Sequence, residues 1–89
     1  MKQISLKNNH VQFLLRSPES GMGYHLVDIT LGDGQQLNRR VVLNSEFLLL
    51  EDNEMVNPQF IDNIKLAHGV GPSLDNIVRF QKRYNTFKR

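Results

Sequence analysis

The chain of 89 residues contains no cysteine. This absence excludes disulfide bonds, thiol catalysis and metal sites built on thiolates, and it suits a reducing compartment. The polar N-terminus MKQISLKNNH lacks the apolar core of a signal peptide, so we expect a cytoplasmic protein. No apolar run approaches the length of a membrane-spanning helix, and we therefore expect no contact with a membrane.

The length predicts a single domain over residues 1–89. A chain this short buries only about 60–65% of its unfolded surface, so its core is thin and its stability marginal. Its 39% hydrophobic and 22% charged residues are typical of a globular chain. Self-association would bury further apolar surface.

The net charge of +2 conceals an uneven distribution, with acids but no bases over residues 46–54. The end of the chain is basic instead, through Arg79, Lys82, Arg83, Lys88 and Arg89. These five side chains support the hypothesis of weak, salt-sensitive nucleic-acid binding without sequence preference. The alternative is structural, because a helix dipole also favours basic residues at its C-terminal end.

Short apolar runs between turn signals predict an α+β domain. We expect a four- to five-stranded antiparallel meander, curled or partly barrel-like, over about residues 3–68. Its strands are predicted at residues 11–15, Tyr24–Leu31, 37–43, Phe47–Leu50 and 61–68, after a short edge strand within residues 1–9. Pro18 would end the first of the five, since proline has no N–H for the ladder.

Glycines mark the two principal turns. Gly21 and Gly23 flank Met22, which predicts a tight reversal with at least one of the two glycines at positive φ. A phosphate-binding loop is the alternative, but such loops precede a helix, and here a strand begins at Tyr24. The pair Asp33-Gly34 predicts a hairpin.

Two registers are open for that hairpin. A strict two-residue turn places Val27 opposite Arg40 and mixes the faces of the sheet. A slip by one residue places Val27 opposite Val41 and Asp28 opposite Arg40. It keeps one face apolar except for Arg39 and pairs two opposite charges, so we prefer it. Because neighbouring strand residues point to opposite faces, Arg39 and Arg40 do not form one basic patch.

A C-terminal amphipathic helix is predicted over about residues 73–87, with Ser73 as its N-cap. Its apolar residues are Leu74, Ile77, Val78, Phe80, Tyr84 and Phe87. They span nearly half of the helix circumference, since Val78 and Phe80 lie about 160° apart. The unbroken run Phe47–Leu50 predicts a strand buried on both faces. The candidate residues for self-association are Phe47, Leu48, Leu50, Ile77, Phe80, Tyr84 and Phe87.

Side chains that could carry chemistry are few. His10, His25 and His68 have no metal-ligand spacing, although a site assembled from distant strands stays open. We expect His25 to be half exposed in a strand and His68 to lie at a strand end. Residues 51–54 are expected to form a solvated acidic loop, since they lack the glycine of a calcium-binding loop. No catalytic motif is present, so we expect neither an enzyme nor a cofactor.

The segments FLLRSPESGMGYHLVDITLGDG, RVVLN and FIDNIKLAHG together resemble a group of short uncharacterised bacterial proteins with an SPE-x-GMGY…DG pattern. The resemblance covers about residues 11–68, and 17–19 with 21–24 are its most specific part. It implies an association with mobile elements, including integron gene cassettes. The basic segment after Gly71 departs from the pattern, in which the chain ends sooner. The resemblance implies no activity.

These observations constrain the fold more closely than the function. We expect a small non-catalytic binding or adaptor module that self-associates, most simply as a homodimer. The alternative is a nucleic-acid-binding protein that uses the basic C-terminal helix.

Overall fold

The structure is a computed structural model, and it describes residues 1–67. Five antiparallel strands form one sheet: β1 (Lys2–Ser5), β2 (Tyr24–Leu31), β3 (Gln36–Leu43), β4 (Phe47–Leu50) and β5 (Ile61–Leu66). Their spatial order is β1-β4-β3-β2-β5, so the sheet is open and has β1 and β5 at its edges. The α+β class and the antiparallel sheet are confirmed. The barrel-like closure is not, and the predicted meander is wrong beyond β2-β3-β4, because β1 pairs with β4 and β5 pairs with β2. The predicted C-terminal helix and His68 lie outside the described residues.

The segment predicted as the first meander strand, residues 11–15, is wrong: it belongs to a helix, α1 (Asn8–Leu15). The alternation of apolar residues over five positions fits both periods, because Val11 and Leu14 also lie one helical turn apart. Leu14 is fully buried, whereas Leu15 is exposed. The hydroxyl of Ser17 donates to the carbonyl of Phe13 at 2.7 Å. This bond satisfies one of the carbonyl groups at the C-terminal end of α1.

The preferred register of the β2–β3 hairpin is also wrong. Val27 pairs with Arg40, as in the strict register, and Ile29 pairs with Leu37. The two pairs differ by one residue in register, so β3 contains one residue more than β2 between them. This extra residue is a β-bulge. Because of the bulge, Ile29 lies opposite the apolar residue Leu37, and apolar residues stay on one face on both sides of the bulge.

The extra residue of the bulge lies at Asn38 and Arg39, opposite Asp28. Arg39 has a φ of 57°, in the left-handed region that side chains rarely adopt. The carboxylate of Asp28 accepts a hydrogen bond from the backbone N–H of Arg39 at 2.9 Å. The predicted ion pair between Asp28 and Arg40 is therefore replaced by a bond to the backbone that holds the bulge.

The bulge decides which side chains of β3 face which side. Leu37 and Val42 are an odd number of residues apart and would lie on opposite faces of a regular strand. In the structure both are buried in the same cluster, on what we call the first face. Val41 and Leu43 lie on the other side, the second face.

Apolar side chains occupy both faces of the sheet. The first cluster contains Leu6, Leu14, Val27, Ile29, Leu31, Leu37, Val42, Leu48, Leu50, Ile61 and Ile64. The second contains Leu26, Val41, Leu43 and Leu49. Leu14 of α1 is buried in the first cluster, and Val11 and Val56 pack against it, so α1 and the segment after β4 cover the first face.

The predicted edge strand and the predicted hairpin turn are confirmed. The edge strand within residues 1–9 is β1, and it pairs with β4. The turn at Asp33-Gly34 joins β2 to β3, with Gly34 at a φ of 89°. A short 3₁₀ helix (Pro58–Phe60) precedes β5, and the side chain of Asn57 accepts from the N–H of Gln59 at its start.

Gly23 has a φ of 82°, which confirms that one glycine of the reversal before β2 takes a positive φ. Its carbonyl also accepts from the N–H of Asn44 at 3.0 Å, so the turn contacts the end of β3. We expect Gly23→Ala to lower the free energy of unfolding by about 1 kcal/mol, because alanine is strained in this conformation. Urea unfolding measures the change.

Gly34→Ala is the matched variant for that measurement. Gly34 also has a positive φ, and an added Cβ there would meet no atom within 4 Å. The decrease in the free energy of unfolding caused by Gly34→Ala therefore reports backbone strain alone. Met22→Ala is the control, since Met22 is 92% exposed. A Gly23→Ala protein as stable as the Met22→Ala protein would contradict the assignment of strain to Gly23.

Candidate interaction surface on the second face

The second face carries a continuous apolar surface that crosses three neighbouring strands. Leu26 of β2 pairs with Val41 of β3, and Leu43 of β3 pairs with Phe47 of β4. Directly paired residues of antiparallel strands point to the same side, so these side chains adjoin one another. Tyr24, Phe47 and Ala67 pack against the cluster as partly buried neighbours. We call the second cluster (Leu26, Val41, Leu43 and Leu49), together with these three neighbours, the second-face patch.

The patch occupies one end of the sheet and is bounded by polar residues. Farther along β2, Asp28 pairs with Lys65 and Thr30 pairs with Asn63. By strand alternation these four residues share the second face with Leu26. An apolar area with a polar border is the usual composition of a contact surface.

At the β1 side of the sheet, Gln3 pairs with Leu49 and so shares the second face. Its Oε1 atom is buried and has no hydrogen-bond partner in the part of the chain that the structure describes. Such an acceptor costs on the order of 1–3 kcal/mol relative to a satisfied one. A hydrogen-bond donor brought to this position would recover part of that free energy.

The elements that cover the first face do not extend to the patch. Every hydrophobic residue packed within the second cluster lies in a strand or directly follows one. The residues of α1 and of the segment 51–57 that pack in a cluster, by contrast, are Leu14, Val11 and Val56, and all three pack in the first cluster. Over residues 1–67, the second-face patch therefore has no helix above it.

Arg40 is the principal electrostatic feature of the first face. As the partner of Val27, it projects to the same side as the first cluster. Its guanidinium donates to both carboxylate oxygens of Glu54, at 2.6 and 2.7 Å. The two side chains are only 25% and 23% exposed, so the charge of Arg40 is neutralised at the border of the core.

Glu54 also accepts a hydrogen bond from the backbone N–H of Glu51 at 2.9 Å. The hydrogen bonds from Arg40 are the main cause that lowers the pKa of the Glu54 carboxyl below its usual range. The prediction of a solvated acidic loop is thus wrong for Glu54, which anchors its segment to the sheet. It holds for Asp52, whose side chain is 81% exposed and forms an ion pair with the N-terminal amine of Met1.

His10 and His25 are both buried and lie beside backbone carbonyl oxygens. His25 is 1% exposed, so the expectation of a half-exposed residue is wrong. Its Nε2 lies 3.2 Å from the carbonyl oxygen of Ser17, and it joins β2 to the end of α1. His10 is also buried, with Nε2 at 3.4 Å from the carbonyl oxygen of Ile61. Among residues 1–67, no three acidic or histidine side chains are grouped to hold a metal ion.

The candidate residues for self-association separate between the two faces. Leu48 and Leu50 are buried in the first cluster, which also contains Leu14 of α1, while Phe47 lies at the second-face patch. The other candidates, and all the candidate nucleic-acid-binding residues, lie outside the described residues, so both hypotheses stay predictions. No helix within residues 1–67 is long and apolar enough to cross a membrane.

The sequence contained a signal for part of the patch. Strand alternation over Tyr24–Leu31 places Leu26 on the face opposite Val27, and the unbroken run of β4 indicates burial on both faces. Val41 and Leu43 were missed as partners of Leu26, because the bulge that turns them to the second face leaves no local trace in the hydrophobic pattern.

Comparisons of the chain with protein-family models, with curated proteins and with solved structures find no match in any of the three. The function is therefore argued from the residues themselves.

The lowered pKa of Glu54 makes a prediction about pH. A carboxyl with a lowered folded-state pKa stabilises the fold above its unfolded pKa, and this contribution is lost as the pH falls through the folded value. We expect Glu54→Gln to lower the free energy of unfolding by about 1–2 kcal/mol at about pH 7. The difference in the free energy of unfolding between Glu54→Gln and the unaltered protein should become smaller as the pH is lowered. Urea unfolding across a pH series measures this difference.

Glu46→Gln is the matched control for this pH series. Glu46 is exposed, and its position between β3 and β4 keeps the substitution near the sheet. Its effect on stability should be close to zero. If Glu54→Gln were as stable as Glu46→Gln at neutral pH, the anchoring role of the Arg40–Glu54 pair would be refuted.

Proposed function

We propose that the chain is a small, non-catalytic binding module that self-associates as a homodimer. The observation that carries this proposal is the covering of the first face by α1 and the segment after β4. Because that face is filled, the sheet offers only the second-face patch to the apolar C-terminal segment. The segment has more apolar surface than one sheet face accepts.

The excess follows from helix geometry. A helix on one face of a sheet buries a stripe of roughly 100°. The apolar residues of the predicted helix over residues 73–87 extend well beyond this, since Val78 and Phe80 lie about 160° apart. Apolar side chains outside the stripe need a second surface, and another copy of the chain is always present at equal concentration.

The helical wheel divides the apolar residues into a centre and a flank. Ile77 and Tyr84 lie about 20° apart and mark the centre. Phe80 and Phe87 lie about 60° and 80° from Ile77, on the same side. We assign the centre to the sheet and the aromatic flank to the second copy. A two-fold axis would bring the same pair of phenylalanines together from both copies.

Charge supports the same arrangement. The exposed residues Glu51 and Asp52 form an acidic area beside β4, whereas the C-terminal segment is basic through Arg79, Lys82 and Arg83. Opposite charges on two copies would steer their approach more than they would tighten the dimer.

We expect sedimentation velocity at about 10–100 μM to show a concentration-dependent dimer. Phe87→Asp should shift the equilibrium towards monomer at least about tenfold, since it places a charge in the aromatic flank. The matched control is Thr86→Asp, which adds the same charge on the polar side of the predicted helix. That variant should dimerise like the unaltered protein.

A protein that stays monomeric throughout this concentration range would contradict the proposed function. A dimer that Phe87→Asp and Thr86→Asp affect equally would contradict the assignment of the interface to the aromatic flank.

A further inference from the structure

We propose that the second-face patch is the docking site for residues 73–87 of the same copy of the chain. The sheet would then lie between α1 on its first face and the C-terminal segment on its second. This inference does not depend on self-association, because it concerns the centre of the apolar stripe and not its flank.

The patch is an apolar area on one side of the sheet. Leu26, Val41, Leu43 and Leu49 form a cluster across β2, β3 and β4. Within residues 1–67, only strand residues and Ala67 contribute to this cluster. An apolar area of this kind, on the side of the sheet away from the first cluster, is typical of a docking surface.

The chain leaves the sheet next to the patch. The backbone N–H of Ala67 donates to the carbonyl of Leu26 at 2.8 Å, and the side chain of Ala67 packs in the second cluster. The chain therefore passes the end of β5 directly beside the patch and on its face. A short connection is sufficient to bring the next segment over it.

Residues 68–87 are long enough to pass over the patch. Residues 68–72 can span up to about 17 Å, enough to reverse direction above the sheet, and they include two glycines and a proline that favour such a reversal. A helix over residues 73–87 would be about 22 Å long. The three neighbouring strands of the patch measure about 10 Å across, so a helix of that length is sufficient to cross the whole patch.

The absence of cysteine from the chain allows a direct experiment, because a single introduced thiol is the only one present. Leu49→Cys places a thiol in the patch. Its rate of reaction with 5,5′-dithiobis(2-nitrobenzoate) reports how often that face opens to solvent. We expect slow reaction in the full chain. Adding Ile77→Asp, which charges the centre of the stripe, should accelerate the reaction at least about tenfold.

Two matched controls separate the docking of the segment from general unfolding. Leu48→Cys places the thiol one residue away but in the first cluster, where Leu48 is 0% exposed. The reaction of the Leu48→Cys thiol should stay slow when Ile77→Asp is added. Thr86→Asp, on the opposite side of the predicted helix from Ile77, should leave the Leu49→Cys thiol slow. Ile77→Ala serves as a milder variant, with a smaller acceleration confined to the second face.

Unchanged protection of the Leu49→Cys thiol in the Ile77→Asp protein would overturn the proposal. Equal acceleration at both thiols, with Ile77→Ala as well as Ile77→Asp, would also overturn it. Protection that rises with protein concentration would identify a second copy as the cover and overturn it too.

Sedimentation of the same samples tests the proposed dimer separately. A monomer with a protected Leu49→Cys thiol would support this inference while contradicting the proposed function. A dimer in which the Leu49→Cys thiol reacts fast would support the proposed function and contradict this inference.

Discussion

The hydrogen bond from the backbone N–H of Arg39 to the carboxylate of Asp28 is the contact on which the rest of the sheet depends. It holds a bulge in which Arg39 adopts a left-handed backbone conformation. On one side of the bulge Leu37 faces the first cluster, and on the other side Val42 faces it too. Without the extra residue, one half of β3 would turn its leucines and valines to the wrong side.

The bulge has a consequence on each face. On the first, it turns Arg40 towards the core, where a lone charge would be costly, and Glu54 neutralises it with two hydrogen bonds. That pair fixes the segment from which Val56 packs against the first cluster. On the second face, the bulge sets Val41 beside Leu26, which creates an apolar surface that needs a cover. One local irregularity thus fixes an ion pair, a loop and an interaction surface.

The sequence predicted most of the sheet, because its strands are apolar and bounded by glycine, proline or asparagine. β2 and β4 were predicted at their observed bounds. Two features could not be predicted. Residues 11–15 fit the strand period and the helix period equally well. The helix is favoured because it buries Leu14 against strands that are distant in sequence. The bulge depends on a contact between Asp28 and a backbone group eleven residues away, which no local pattern contains.

This small sheet has an apolar cluster on each face, and we propose that one copy of the chain closes both. Nuclear Overhauser effects in the full chain test it most directly. We predict contacts between the ring protons of Tyr84 and the methyl groups of Leu26, Val41 and Leu49. These contacts should persist within each copy when labelled and unlabelled chains are mixed. Contacts found only between copies, or no contacts from Tyr84 to these methyl groups, would contradict the account.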